Sequence, residues 1–262
     1  MTPVYETVRF EVEESVAWVR LARPEKLNAI NPRMVSELGD VVRSIRADTA
    51  IRAVVFTGTG RAFSAGADIA ALAELSSPTR FLRFLESIQG VYDEIETLDR
   101  PTIAAVNGLA YGGGCELAIA CDLRIMAESA KLGVPEILIG MLPGGGGTQR
   151  LSRLLPPAIA KQMIFFGEAL TAEAAARHGI ANAVVADDRA AETAREWVRK
   201  LAALPPLALA AAKTLVRAAG DADLRSGLDA ERHAVAFLYS TEDGREGVAA
   251  FLEKRAAVFR GK

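Results

Sequence analysis

Two glutamates, Glu116 and Glu136, stand in apolar company that acidic residues usually avoid. From Cys115 to Cys121 every residue except Glu116 is apolar, so a helix over this stretch is expected to be buried all round. Glu136 follows Pro135 and precedes Ile137-Leu138-Ile139. A buried carboxylate needs either a partner or a task. Arg124, Lys131 and Arg150 are the nearby cations, and pairing with one of them is the structural alternative for each acid. Both glutamates also adjoin glycine-rich backbone, Gly112 to Gly114 before the first and Gly144 to Gly147 after the second. Glycines let main-chain N–H groups approach a ligand closely, and amides at a helix start face an anionic oxygen with partial positive charge. Amides for an oxyanion beside two carboxylates for protons suit chemistry through an enolate.

The elements that would position these groups can be read from the pattern. Val4 to Glu11 and Val16 to Leu21 are expected as strands joined at Glu13-Glu14-Ser15. Asn31 and Pro32 open a helix whose apolar stripe is Met34, Leu38, Val41, Val42 and Ile45. Ala53 to Phe56 and Thr102 to Val106 are short buried strands, each running through a polar turn and small residues into a helix. This shared grammar, RAVVFTGTGRAFSAGADIA against RPTIAAVNGLAYGGGCELA at an offset of about fifty residues, predicts a repeating superhelical architecture. Each copy would offer amides at a helix start. Pro78 to Leu98 is amphipathic, with Phe81, Leu82, Leu85, Ile88, Val91, Tyr92 and Ile95 on the side expected to pack into the core, and the loop Ala70 to Pro78 is placed to border a substrate tunnel. Helices dominate from Leu154 to Leu204, with Asn182 to Val185 as a last strand. Pro205-Pro206 separates an expected core, 1–205, from a helical region, 206–262, with helices near 207–219, 224–239 and 243–259. The apolar faces of these helices exceed what a short tail buries alone, so oligomerisation is expected there.

Several function classes are excluded. A net charge of −2 gives no basic footprint for nucleic acid. Gly58-Thr59-Gly60 follows a strand, but Phe63 stands where a dinucleotide fingerprint needs its third glycine. Ser64 is preceded by Ala62 rather than the glycine of a nucleophile elbow, and no histidine is placed to help it. Cys115 and Cys121 sit in the apolar helix as small hydrophobes, and His178 and His233 lack a ligand spacing, so no metal site is expected. No apolar run approaches the roughly eighteen residues of a membrane span, and the acidic start MTPVYETVRFEVEE is unlike a signal peptide. A soluble, cytoplasmic protein is expected.

Taken in order, RPEKLNAI, AFSAGADI, AAVNGLAYGGGCELAIACDLRI, GVPEILIGMLPGGGGTQRL and EGVAAFLEKR resemble the enoyl-CoA hydratase/isomerase, or crotonase, superfamily nearly end to end, most like an enoyl-CoA hydratase. The resemblance implies an α/β fold, a spiral of ββα units with a C-terminal helical trimerisation region, often with two trimers in a hexamer. It implies a coenzyme A thioester as substrate and no separate cofactor. Carried over by position, the oxyanion hole falls on the backbone N–H groups of Ala67 and Gly113, the two acids on Glu116 and Glu136, and a water-holding amide on Gly144. Ala65, Asp68, Ile69, Phe251 and Lys254 match CoA-binding positions, the last two reaching a CoA bound largely by an adjacent subunit. Ala70 departs from the lysine that related hydratases often carry near the CoA phosphates. Both acids favour hydration of a trans-2-enoyl-CoA to a 3-hydroxyacyl-CoA, as in fatty acid β-oxidation. An isomerase or another CoA lyase is the alternative within the family, and an RNA-binding or scaffold protein the alternative outside it. Which glutamate is acid and which base stays open at this level.

Overall fold

The computed structural model describes residues 5–262. The chain begins with an antiparallel hairpin, β1 (Val8–Glu13) and β2 (Val16–Leu21), turning at Glu14 in the left-handed region with φ 57°. The expected start of this strand at Val4 lies outside the described residues. Helix α1 (Pro32–Ala47) is capped by the Asn31 side chain, which accepts the Met34 N–H at 2.8 Å, and it buries the expected stripe. At its other end the buried Arg100 guanidinium donates to the carbonyls of Ile45, Asp48 and Ile51 and so ties down the turn that follows the helix.

Three repeats follow. The first is β3 (Ala53–Gly58), β4 (Ala62–Ser64), α2 (Ile69–Ala73) and α3 (Pro78–Glu96). The second is β5 (Thr102–Val106), β6 (Leu109–Tyr111) and α4 (Gly113–Ala120). The third is β7 (Leu123–Ala127), β8 (Lys131–Gly133) and a 3-10 turn, Pro135–Ile139. Each repeat gives its first strand to one sheet and its second to another, so β3, β5 and β7 run parallel in the larger sheet while β4, β6 and β8 run parallel in the smaller. This is an α/β spiral of ββα units.

Beyond it come α5 (Gly147–Leu154), α6 (Pro157–Phe166), β9 (Leu170–Thr171), α7 (Ala172–Arg177), β10 (Ala183–Val185) and α8 (Ala190–Ala202). The two-residue β9, too short to leave a periodicity, pairs antiparallel with β8 and closes the smaller sheet. Both faces of the larger sheet are covered. Val54 and Phe56 of β3 enter the core between the layers, whereas Ala53 and Val55 face Ala190, Ala194 and Val198 of α8 on the other side.

Two expectations need correction. On α3, Leu82 is 55% exposed and Phe84 enters the core in its place, because the buried stripe runs Phe84, Ile88, Val91, Tyr92, Ile95. The C-terminal helices are α9 (Pro206–Ala218), α10 (Leu224–Ser240) and α11 (Glu242–Glu253), and the last stops well short of residue 259. Lys254 takes a left-handed cap with φ 55°, after which the chain folds back. The Asp243 carboxylate accepts the N–H groups of Arg260 and Gly261 at 2.7 and 2.8 Å, and Arg52 donates to the Phe259 carbonyl. Lys213 of α9 meets Asp122 at 2.8 Å and ties these helices to the spiral. Among the described residues no single helix is long and apolar enough to cross a membrane, and α8 and α9, which together reach that length, are bent apart by 109°.

Candidate active site

Two strand–turn–helix junctions meet back to back. In the first repeat, Gly66 turns with φ 89° so tightly that a Cβ would come 2.7 Å from the Tyr111 carbonyl oxygen of the second. A Cβ on Gly114 would lie 2.6 Å from Ser64. Ser64 is fully buried, donating to the Asn28 carbonyl and accepting the Gly66 N–H, so it braces the junction. Ala67 forms a parallel bridge with Ile30 in which the hydrogen bonds are made by its neighbours. Ile30 N–H donates to the Gly66 carbonyl and Asp68 N–H to the Ile30 carbonyl, which leaves the Ala67 N–H facing the other way. Gly113 is the first residue of α4, where an N–H has no partner within the helix. Neither the Ala67 nor the Gly113 N–H has a protein acceptor among the described residues, nor does that of Gly144, and all three residues line one cavity.

That cavity, about 430 Å³, also takes in both glutamates. All eight residues of α4 are buried, Glu116 among them at 2% exposure. Its Oε1 accepts the N–H groups of Gly145 and Gly147 at 2.7 and 2.8 Å. Burial pushes its carboxyl up to about 7, against the pull of the Gly147 N–H and with help from Glu136. Glu136 sits in the 3-10 turn, half-buried, with Oε2 enclosed and without a hydrogen-bond partner. Burial raises this carboxyl too. Its Oε1 occupies the space beside Gly112, where a Cβ would lie 2.7 Å away and where φ is 51°. Arg124 and Arg150 do not pair with either acid. Arg124 donates to backbone carbonyls, and Arg150 bridges to Asp93 and Glu96.

The rest of the wall is apolar: Leu72, Phe81, Phe84, Leu85 and Ile88 from α2 and α3 face Met141 and Leu142. The short helix α2 thus fills part of the expected tunnel-bordering loop. Ile69 stands at the opening, 58% exposed. Ala65 gives its N–H to the Leu27 carbonyl, and the Asp68 side chain is taken by Arg23 at 2.9 Å while capping α2. Phe251, 83% exposed, and Lys254 lie at the end of α11, outside the cavity wall. The sequence reading missed the clamp on Glu116. The glycine run stands near Glu136 in the chain, yet two of its amides hold the other glutamate.

The description of one protein family, Enoyl-CoA hydratase/isomerase, matches residues 11–262. Crotonyl-CoA hydratase of Syntrophomonas wolfei is 38% identical over 259 residues, covering 98% of this chain and 99% of that protein. Short-chain-enoyl-CoA hydratase of Clostridium acetobutylicum is 39% identical over 249 residues, 95% of each. A crystal structure of enoyl-CoA hydratase from Bacillus anthracis has the same fold at a TM-score of 0.94, with 35% identity over 98% of this chain and 100% of that one.

Proposed function

The chain belongs to the enoyl-CoA hydratase/isomerase family and is an enoyl-CoA hydratase, and we propose that Glu116 and Glu136 hydrate the double bond while the Ala67 and Gly113 amides hold the thioester oxygen. The observation carrying this is the meeting of one buried and one half-buried carboxylate with two acceptor-free amides in one apolar cavity. Water adding to the β-carbon of a trans-2-enoyl-CoA drives negative charge onto the thioester oxygen, where preorganised N–H donors stabilise it. Glu116 takes the water's proton. Its two amide bonds favour the ionised form, and a carboxyl near 7 is matched to general-base work at neutral pH. Glu136 delivers a proton to the α-carbon, since an enclosed oxygen without a partner favours the neutral acid. The Gly144 N–H orients the water. The product is the 3-hydroxyacyl-CoA, and the proton taken by Glu116 replaces the one given by Glu136 once the product leaves.

Coenzyme A enters as the handle of the substrate, with Ala65, Asp68 and Ile69 beside it, and these steps call on no further cofactor. Asp68 contributes through its backbone in this reading, because its carboxylate is engaged by Arg23. We assign the chain to a cytoplasmic homotrimer, two trimers making a hexamer, that serves β-oxidation of fatty acids, with Phe251 and Lys254 reaching the CoA of a neighbouring subunit. Supporting the assembly, no residue of α9 or α10 is buried, although Leu224, Leu228, Val235, Phe237 and Tyr239 are large and apolar. A series of 2-enoyl-CoAs of increasing length, followed by loss of the conjugated thioester's ultraviolet absorbance, tests the reaction. No loss with any of them, alongside isomerisation of a 3-enoyl-CoA, would replace hydration by double-bond migration.

A further inference from the structure

Four polar residues of α3, Gln89, Tyr92, Asp93 and Glu96, follow the i, i+3, i+4, i+7 spacing that puts side chains on one helix face. Each is directed at the glycine backbone of the site or at the arginine that holds it. The Tyr92 hydroxyl, fully buried, donates to the Gly113 carbonyl at 2.7 Å. Its ring also lies against the second loop, since a Cβ on Gly145 would be 2.9 Å from Tyr92 Cε2. Gln89 donates to the Gly144 carbonyl at 2.7 Å. Asp93 and Glu96 hold Arg150, which in turn donates to the Gly145 carbonyl at 3.0 Å. From this we infer that α3 is a brace for catalysis, holding the oxyanion amide turn at Gly113 and the Glu116 clamp at Gly145 and Gly147 in one fixed relation, with Tyr92 its central positioning residue.

The inference rests on the proposed hydratase site but concerns residues that stand outside the cavity lining. A buried Tyr needs some hydrogen-bond partner. The choice here is the carbonyl of the same glycine whose N–H faces the cavity, and the same ring walls the loop that holds the base. Small displacements of such groups weigh heavily on a rate, because a misplacement of about 1 Å can cost on the order of a hundredfold.

The test is Tyr92→Phe, which keeps the ring and removes the hydroxyl, with Gln89→Met as a second, exposed variant. Hydration is measured for kcat and KM separately. A non-turnover readout comes from an aryl-acryloyl-CoA, whose absorption band moves to longer wavelength as its carbonyl is polarised. For Tyr92→Phe we expect kcat to fall about tenfold, the upper scale of one lost hydrogen bond, with KM within about twofold and a smaller band shift. Gln89→Met should lose about threefold in kcat in the same pattern. A folded Tyr92→Phe that is merely less heat-stable, with parental kcat and band shift, overturns the brace. If Tyr92→Phe does not fold, Gln89→Met decides by the same two readouts. A parent that shifts the band but does not hydrate sinks the hydratase reading and leaves the brace to be judged by the band alone.

Discussion

Glu116→Gln keeps an oxygen for the Gly145 and Gly147 N–H groups but cannot take up a proton as a carboxylate does. Hydration should fall by at least about a hundredfold, the low end of what general acid–base catalysis contributes. Glu136→Gln should be comparably slow and the double variant only slightly slower, because groups acting as one unit are not additive. A steady-state assay on folded protein with parental turnover for Glu116→Gln removes that residue from the mechanism. The pH dependence of stability offers a separate check. An acid raised from 4.5 to about 7 by burial binds its proton more tightly in the folded state, so its favourable contribution is full below about 4.5 and is lost as pH rises through 7. The difference is at most about 3 kcal/mol at 1.36 kcal/mol per unit. Melting of the parent and of Glu116→Gln from pH 4.5 to 8 should therefore diverge in favour of the variant, and parallel curves would contradict the buried acid. That Glu116 is buried could be read from its apolar neighbours, whereas its clamp could not, since a main-chain donor leaves no mark of its target in the residue type.

At the scale of elements, α4 is the piece whose first residue is proposed to hold the oxyanion. Proline is accepted at a helix's first position, and the atom nearest an added Cβ at Gly113 is the movable Ile30 Cδ1, 3.2 Å away. Gly113→Pro is thus expected to fold while losing the oxyanion donor, a cost of about 2.7 to 4 kcal/mol or roughly a hundred- to a thousandfold in rate. Circular dichroism with a hydration assay checks both halves, and near-normal turnover would take Gly113 out of the hole. Helix α4 was legible because its apolar run has no polar face except Glu116, and α1 because Asn31, Pro32 and the stripe agree. Helix α3 was only half legible. Periodicity registers its apolar side, but it places Leu82 in the core because it cannot tell which edge of a wide apolar face turns inward, and the buried stripe runs through Phe84 instead. It is silent about the polar stripe, since a Gln or Tyr aimed at a backbone carbonyl looks like one aimed at water.

Over the whole molecule, the spiral was visible as a repeated strand–turn–helix grammar, but the split of each strand pair between two sheets was not, because a three-residue strand such as β4 carries no period. Removing residues 207–262 would strip Lys213 from Asp122 and Phe259 from Arg52. It would also uncover the surface against which these helices lie. We expect a monomeric or aggregating product, against three or six chain masses for the full chain in the proposed assembly, and light scattering distinguishes them; a soluble, monodisperse trimer without these residues would refute the assignment. The proposed site is built unevenly: the groups assigned to the oxyanion, the water and the base are main-chain N–H groups of Ala67, Gly113, Gly144, Gly145 and Gly147, while the apolar wall is made of side chains. A substitution elsewhere leaves these N–H groups in place, whereas a Cβ on Gly144, Gly145 or Gly147 would come within 2.6 to 2.7 Å of Leu85, Glu116 or Pro143 and push the amide aside. Changes at Leu72, Phe81, Phe84, Leu85 and Ile88 therefore reshape the apolar wall without touching the amides, so the chain length accepted can be altered apart from the reaction, which single changes reach chiefly through Glu116, Glu136 and the glycines.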